Sequence, residues 1–163
     1  MRLKDCHGFS DFRELARRRL PSPIFNYIDG AADDEITYER NTKSFEDCDL
    51  VPNVLRGVEE VDMSVTIMGQ KLEMPIYCSP TALQRVFHHQ GEYAVAAAAD
   101  KFGTMFGVSS LGTVSLSEVR EQYSGPQCYQ FYFHKDRGLN QAMLENAKTA
   151  EIDVMMLTVD TIT

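Results

Sequence analysis

The chain has 163 residues, of which 44% are hydrophobic and 25% charged, so it can bury a core and is too apolar for a disordered protein. Its formal net charge of -8 argues against the basic surface with which proteins usually bind nucleic acid or anionic membranes. No stretch approaches the roughly 18 apolar residues of a membrane span, and the first residues lack the apolar core of a signal peptide. We therefore expect a cytoplasmic protein, with peripheral attachment to a membrane left open.

The cysteines and histidines form no pattern typical of a metal site or a disulfide framework. The cysteines are widely scattered without a C-x-x-C pair, which indicates reduced thiols. Cys78 and Cys128 lie in strand-like runs, and we expect them to be buried. His88-His89 has no third ligand at a zinc-like spacing, so we predict no metal.

Helical patterns dominate the first 60 residues. Three helices are predicted, over residues 11–20, 23–29 and about 33–45. The first begins at Asp11, which resembles a capping box together with Glu14. The third begins at the acidic run Asp33-Asp34-Glu35, which suits the positive N-terminal end of a helix.

The hydrophobic pattern changes after residue 60. Alternating apolar residues and a turn at Gly69-Gln70 predict a small β-hairpin over residues 61–74. Four short apolar runs then alternate with three helix-like segments. The runs cover residues 75–79, 104–109, 128–133 and 154–160, and the helices cover residues 91–102, about 115 onward from the capping box Ser115 to Glu118, and 137–150 with Asp136 as N-cap.

Apolar strands that alternate with helices indicate right-handed βαβ units and a parallel sheet covered by helices, hence an α/β fold. The sequence stops after the fourth strand, which would leave an unpaired parallel edge. Four βα units are half of a (β/α)8 barrel, which usually needs about 250 residues. We therefore predict the first half of a TIM barrel, in a chain that is a fragment or one segment of a longer or split protein.

Polar side chains stand near the carboxyl ends of all four predicted strands, where parallel α/β proteins place their functional groups. They are Ser79 and Thr81, Ser109 and Ser110, Gln130 and Tyr132, and Thr158 and Asp160. Any one of these side chains could merely satisfy nearby backbone groups, but polar residues at all four strand ends together favour one shared site. For His134, after the third strand, a satisfied loop histidine is the better interpretation. No dinucleotide-binding, P-loop or nucleophile-elbow motif is present.

Ten short stretches stand out in a fixed order from about Asp11 to the end of the sequence. They are Leu20-Pro21, Tyr27, Gly30-Ala31, Met74-Pro75-Ile76, Ser79-Pro80-Thr81-Ala82, Gly91-Glu92, Ser109-Ser110, Gln130-Phe131-Tyr132, Lys135-Asp136-Arg137 and Leu157-Thr158-Val159-Asp160-Thr161. Any one of them is a weak signal, whereas their order and spacing together are highly specific. Together they resemble the FMN-dependent 2-hydroxy-acid dehydrogenases and oxidases.

The resemblance implies an enzyme that moves two electrons from the α-carbon of a small 2-hydroxy acid to FMN and yields a 2-oxo acid. FMN would carry the redox chemistry while the protein binds and orients it. The resemblance implies flavin contacts from the backbone of Pro80, Thr81 and Ala82 near N5, and hydrogen bonds to the isoalloxazine ring from Ser109, Gln130 and Thr158.

The same resemblance implies roles for three further side chains. Tyr27 would bind the substrate carboxylate, and Tyr132 would hydrogen-bond the substrate hydroxyl or the developing carbonyl. Asp160 would orient a histidine base and stabilise its charged form, although a purely structural carboxylate at the strand end is the alternative.

Two positions depart from the family pattern. Leu111 stands where glycolate oxidases typically carry a tryptophan, and this smaller apolar residue resembles the lactate-oxidising members, which favours lactate or another short hydroxy acid. Phe131 replaces a common leucine, a change that packing should tolerate.

Several family features lie beyond Thr163: the flavin-binding lysine, the catalytic histidine, the carboxylate-binding arginines and the phosphate loop. None of the four histidines in this chain matches the base. Residues 1–163 alone are therefore expected to bind FMN poorly. The resemblance also implies a homo-oligomer, a tetramer, for the complete form.

Three hypotheses remain. In the first, residues 1–163 are the N-terminal part of one FMN-dependent hydroxy-acid dehydrogenase domain, with a helical lead-in (1–60), a hairpin (61–74) and the first half of a barrel (75–163). In the second, the chain is a non-catalytic, flavin-binding half-barrel that needs a partner chain. The third is a different (β/α)8 enzyme such as an isomerase, against which the ordered motifs argue.

Overall fold

The computed structural model describes residues 2–160. The chain forms two compact units, one up to Val61 and one from Asp62 onward. Thr161, the last residue of the matched stretch that begins at Leu157, lies outside the described residues. Among the described helices, none is long and apolar enough to cross a membrane.

The first unit is helical. It contains a 3-10 turn and three α-helices: the turn Leu3–Asp5, α1 (Phe9–Arg19), α2 (Ser22–Asp29) and α3 (Ile36–Lys43). The backbone N–H groups of His7 and Gly8 both donate to the Asp11 carboxylate, at 2.9 and 3.0 Å. Asp11 therefore lies inside the first turn of α1, and the prediction that it starts the helix was wrong by two residues.

The predicted third helix begins later and ends earlier than expected. Asp33 and Glu35 have φ values of 50° and 57°, which a right-handed helix does not accept. The acidic run is therefore a turn that precedes α3, and the helix starts at Ile36.

The second unit begins with the predicted hairpin, which is shorter than expected. Strands β1 (Val65–Ile67) and β2 (Gln70–Leu72) pair antiparallel, with Ile67 opposite Gln70. The two-residue turn is Met68-Gly69, one residue earlier than predicted, and both residues have positive φ, as hairpins with a two-residue turn favour.

The rest of the second unit is a three-stranded parallel sheet with helices. The strands are β3 (Phe106–Ser109), β4 (Gln127–Tyr132) and β5 (Val154–Thr158), in that spatial order. The helices are α4 (Gln84–Phe87), α5 (Glu92–Lys101), α6 (Leu116–Gln122) and α7 (Arg137–Thr149). The N-caps predicted at Ser115 and Asp136 are confirmed, since each side chain accepts a backbone N–H from the first turn of its helix.

The strand predicted over residues 75–79 is reduced to a single parallel bridge from Cys78 to Phe106. Pro75 begins the segment and Pro80 follows it, and proline has no backbone N–H to donate to a neighbouring strand. The carbonyl oxygen of Ile76 accepts from the Thr104 hydroxyl instead of a backbone N–H. The segment nevertheless runs alongside β3, because Cys78 N–H donates to Met105 O at 3.0 Å.

The two faces of the sheet have different surroundings. On one face, apolar side chains of β3 and β4 pack against α5, α6 and α7. This cluster includes Phe106, Val108, Tyr129, Phe131, Ala96, Ala99, Val119 and Ala147. Near the amino ends of the strands, Cys128 and Val154 form a smaller cluster with Leu72 of the hairpin. Because side chains alternate along a strand, Gly107, Ser109, Gln130 and Tyr132 lie on the face away from the helices.

We predicted that both thiols are buried. The structure confirms this for Cys128, whereas Cys78 is only partly buried. Burial raises the pKa of both thiols.

A network around Arg120 joins the amino ends of β4 and β5. Its guanidinium donates to the carbonyl oxygens of Ala150, Gly125 and Glu151, at 3.0, 3.1 and 2.9 Å, and to the Asp153 carboxylate at 2.9 Å. The same carboxylate accepts the Gln127 N–H at 2.8 Å. Arg120 therefore fixes the loops that lead into both strands.

Candidate active site

Ser109, Gln130 and Thr158 form a hydrogen-bonded ladder across the carboxyl ends of β3, β4 and β5. The Ser109 hydroxyl donates to Gln130 Oε1 at 3.2 Å, and Gln130 Nε2 donates to Thr158 Oγ1 at 2.7 Å. Ser109 and Gln130 are register partners and are buried. The structure thus brings together three predicted site residues, one from each strand.

The direction of these bonds leaves donors at the ladder. Gln130 Oε1 also accepts from the backbone N–H and the hydroxyl of Ser110, at 3.3 and 3.2 Å, and Ser109 Oγ accepts the Leu111 N–H at 3.1 Å. No bond within residues 2–160 uses the second Nε2 hydrogen of Gln130 or the hydroxyl hydrogen of Thr158. The ladder therefore suits a ligand that presents acceptor atoms.

Tyr132 and Asp160 stand near the ladder in sequence but take no part in it. Tyr132 ends β4, is half-buried and is the register partner of Thr158. Asp160 follows β5 by two residues and is exposed. Within the described part of the chain, no hydrogen bond joins either side chain to the ladder, so both groups remain available to a ligand.

The loop from Pro80 to Ala82 approaches the same face of the sheet at Gly107. A Cβ built on Gly107 would lie 2.6 Å from Pro80 Cδ and 2.8 Å from Pro80 N, so any larger residue would displace the loop. Sequence reasoning missed Gly107, although an isolated glycine inside a strand pattern is the usual mark of close backbone approach.

A second loop, from Ser110 to Thr113, leads from β3 to α6 and carries Leu111, whose side chain is about half exposed. Glu92, at the start of α5, is completely buried and accepts both the backbone N–H and the hydroxyl of Thr113. Sequence reasoning gave Glu92 no role; its only signal was its place in the matched Gly91-Glu92 pair.

The histidines behave as ordinary surface or loop residues. The backbone of His134 exchanges two hydrogen bonds with the Asn140 side chain, at 2.9 and 2.8 Å. His88 and His89 are exposed, with ring centroids 4.3 Å apart. Among the described residues, no group of three His, Cys, Asp or Glu side chains could hold a metal ion.

Tyr27, the remaining predicted site residue, lies on α2 in the first unit, and its side chain is exposed. Its assignment to the substrate carboxylate stays a prediction.

Comparison with known proteins assigns the family. The FMN-dependent dehydrogenase family matches residues 16–163. An L-lactate dehydrogenase of Xanthobacter autotrophicus is 42% identical over 151 residues, which are 93% of this chain and 39% of that protein. A glycolate oxidase of Spinacia oleracea is 36% identical over 152 residues, 93% of this chain and 41% of the oxidase.

Solved structures agree in fold. A lactate oxidase of Pediococcus acidilactici, described as putative, superposes with a TM-score of 0.88 at 31% identity, over 93% of this chain and 43% of that one. A soluble mutant of the membrane-associated (S)-mandelate dehydrogenase of Pseudomonas putida also gives 0.88, at 28% identity, over 94% of this chain and 44% of its own. The chain therefore spans about two-fifths of the length of these relatives.

The predicted fold class is confirmed: the second unit is part of a (β/α)8 barrel, with the ladder at the carboxyl ends of its strands. Sequence order, fold and family match lead to one assignment. The chain belongs to the FMN-dependent dehydrogenase family.

Proposed function

We propose that the protein containing this chain oxidises a short 2-hydroxy acid, with L-lactate favoured, to the 2-oxo acid, and that FMN accepts the electrons. The observation that carries the proposal is the Ser109–Gln130–Thr158 ladder at the functional end of the barrel in a chain of this family.

The residues at the ladder fit the flavin ring. An isoalloxazine ring presents carbonyl oxygens and ring nitrogens that accept hydrogen bonds, and the ladder leaves donors on Gln130 and Thr158. The close approach of Pro80 to Gly107 brings the backbone of the loop to the same face. Ser109, Gln130, Thr158 and the Pro80–Ala82 loop would therefore hold the ring, and bound FMN would supply the two-electron acceptor.

The protein's own groups would bind and polarise the substrate. We propose that the Tyr132 hydroxyl donates to the substrate oxygen whose charge changes, and that Tyr27 binds the substrate carboxylate. Asp160 would stabilise the charged form of a histidine base. None of the four histidines here matches that base, so we propose that it comes from outside residues 1–163, together with the phosphate-binding groups.

Two observations support a small substrate. The exposed apolar side chain of Leu111, beside Ser109, is smaller than the tryptophan that the glycolate oxidases resembled by this sequence carry there. Relatives from Xanthobacter autotrophicus, Vibrio parahaemolyticus and Alcaligenes faecalis are named L-lactate dehydrogenases.

One observation is also consistent with the second hypothesis, in which the chain is a flavin-binding half-barrel that needs a partner chain. Met155, Leu157 and Val159, at the outer strand of the sheet, are exposed apolar side chains. We infer that further βα units cover them, from the same polypeptide or from a partner chain.

Anaerobic reduction of the purified, FMN-loaded protein tests the proposal. We expect L-lactate to bleach the flavin absorbance and to yield pyruvate in equal amount. Bleaching by glycolate but not by L-lactate would correct the substrate. If no short 2-hydroxy acid bleaches the bound flavin, the enzymatic function is wrong, and flavin binding without reduction would support the half-barrel hypothesis.

A further inference from the structure

The buried carboxyl group of Glu92 is not used by the proposed chemistry. Glu92 is the first residue of α5 and is 0% exposed. Its Oε1 accepts the Thr113 backbone N–H at 2.7 Å, and its Oε2 accepts the Thr113 hydroxyl at 2.5 Å. A buried carboxyl group is costly unless it is hydrogen-bonded, so its two partners on one residue fix Thr113 against the start of α5.

The same threonine ties the loop to α4. Thr113 Oγ1 accepts the Arg85 N–H at 3.2 Å, and the Leu83 N–H donates to Leu111 O at 3.1 Å. The loop that follows β3 is therefore attached to the segment that directly follows the Pro80–Ala82 loop. Through Leu83 and Arg85, hydrogen bonds connect the Pro80–Ala82 loop and the loop from Ser110 to Thr113 at the carboxyl end of the sheet.

Close packing leaves the loop little freedom around Glu92. A Cβ built on Gly112 would lie 3.0 Å from Ser109 O and 3.4 Å from Glu92 Oε1. Leu111 lies next to Gly112, and its N–H is held by Ser109 Oγ. The backbone of Leu111 is thus fixed at both its N–H and its C=O, while its side chain stays about half exposed.

We propose that Glu92, acting through Thr113, is a positioning residue that fixes Leu111 beside the ladder and thereby sets which substrate side chains the enzyme accepts. This inference rests on the proposed function. Glu92 itself contacts the loop and not the ladder, so its effect falls on selectivity rather than on the chemical step.

The test compares two substrates in the FMN-loaded enzyme. Thr113→Val keeps the shape of the side chain and removes the hydroxyl that donates to Glu92. Glu92→Gln keeps one oxygen that can accept the Thr113 N–H, but it replaces the oxygen that accepts the Thr113 hydroxyl with an NH₂ group, which cannot accept it. We expect each variant to shift the ratio of kcat/KM for L-lactate to kcat/KM for L-mandelate by about tenfold toward the larger acid. The shift should come mainly from KM, because contact with a substrate side chain acts as uniform binding.

Two controls separate positioning from stability. Thr113→Ser retains both bonds to Glu92 and should keep the parent ratio. Asp136→Ala removes the N-cap of α7, so it should lower stability without changing the ratio.

An unchanged ratio in both Glu92→Gln and Thr113→Val would overturn the proposal, whatever the ratio of the parent enzyme. An equal shift in Asp136→Ala would overturn it as well, because a loss of stability elsewhere in the fold would then be enough to change the ratio. If no 2-hydroxy acid reduces the parent flavin, the proposed function fails first and this inference falls with it.

Discussion

The two ends of the parallel sheet use polar residues in opposite ways. At the amino end, Arg120 and Asp153 form a network whose bonds run to loop carbonyls and to the first N–H of β4. At the carboxyl end, the ladder keeps spare donors, and Tyr132 and Asp160 make no bond to it within the described residues. In a barrel, the first arrangement serves stability and the second serves ligands, so variants at the two ends should affect different measurements.

The largest effect is expected at the carboxyl end. Tyr132→Phe removes only the hydroxyl proposed to donate to the reacting oxygen, and it should slow flavin reduction by L-lactate about 10²- to 10³-fold. Stopped-flow absorbance measures the rate, and FMN affinity and urea unfolding should stay unchanged.

Tyr129→Phe is the matched control, because Tyr129 is on the same strand but packs into the helix-covered core. We expect its reduction rate to equal that of the parent. Equal loss of FMN binding and of reduction rate in Tyr132→Phe would make Tyr132 a structural residue.

An intermediate effect is expected at the amino end. The Arg120 side chain is 20% exposed. Arg120→Met removes the guanidinium donor from the carbonyl oxygens of Ala150, Gly125 and Glu151 and leaves Asp153 with only the Gln127 N–H as a donor. The free energy of unfolding should fall by about 2–3 kcal/mol, measured by urea denaturation, while the rate of flavin reduction stays unchanged at a temperature where the variant is folded.

Lys148→Met, at an exposed position in the last turn of α7, should change the free energy of unfolding by less than about 0.5 kcal/mol. A slower reduction rate in folded Arg120→Met would show that the two ends of the sheet are not separate in function.

The smallest effect concerns the start of α6 and depends on pH. The hydrogen bond from the Ser115 hydroxyl holds the pKa of Glu118 below its ordinary value. The folded state therefore gains stability above the pKa of the unfolded chain, and it loses this gain as pH falls through the lower, folded pKa. Glu118→Gln should be less stable than the parent near neutral pH, and the difference should shrink as pH falls below the unfolded glutamate pKa of about 4.3.

Thermal unfolding across this pH range measures the difference. Glu121→Gln changes an exposed carboxyl group on the same helix and should show a smaller change with pH. A constant difference between Glu118→Gln and the parent would contradict the assigned hydrogen bond.

Local patterns carried most of the prediction. Helices α5, α6 and α7 and strands β3, β4 and β5 were found from hydrophobic runs and caps, because these depend on residues a few positions apart. The ladder was predicted as a shared polar edge for the same reason, since the carboxyl ends of parallel strands meet.

What sequence reasoning missed depends on distant partners. Glu92 and Thr113 are 21 residues apart, and Arg120 and Asp153 are 33 apart, so no local pattern joins them. The strand predicted over residues 75–79 is reduced to one bridge to β3, because Pro75 and Pro80 have no backbone N–H to donate to a neighbouring strand.

The backbone of the sheet sets the spacing of the ladder's side chains. Its three side chains come from three strands whose separation of about 4.8 Å is set by backbone hydrogen bonds, not by the side chains themselves. Changes at Ser109 or Thr158 can therefore alter which atoms are offered to a planar ligand while the spacing of the positions stays constant. Substitutions at these positions can change the hydrogen bonds offered to the proposed flavin ring while the backbone that supports the ring stays the same.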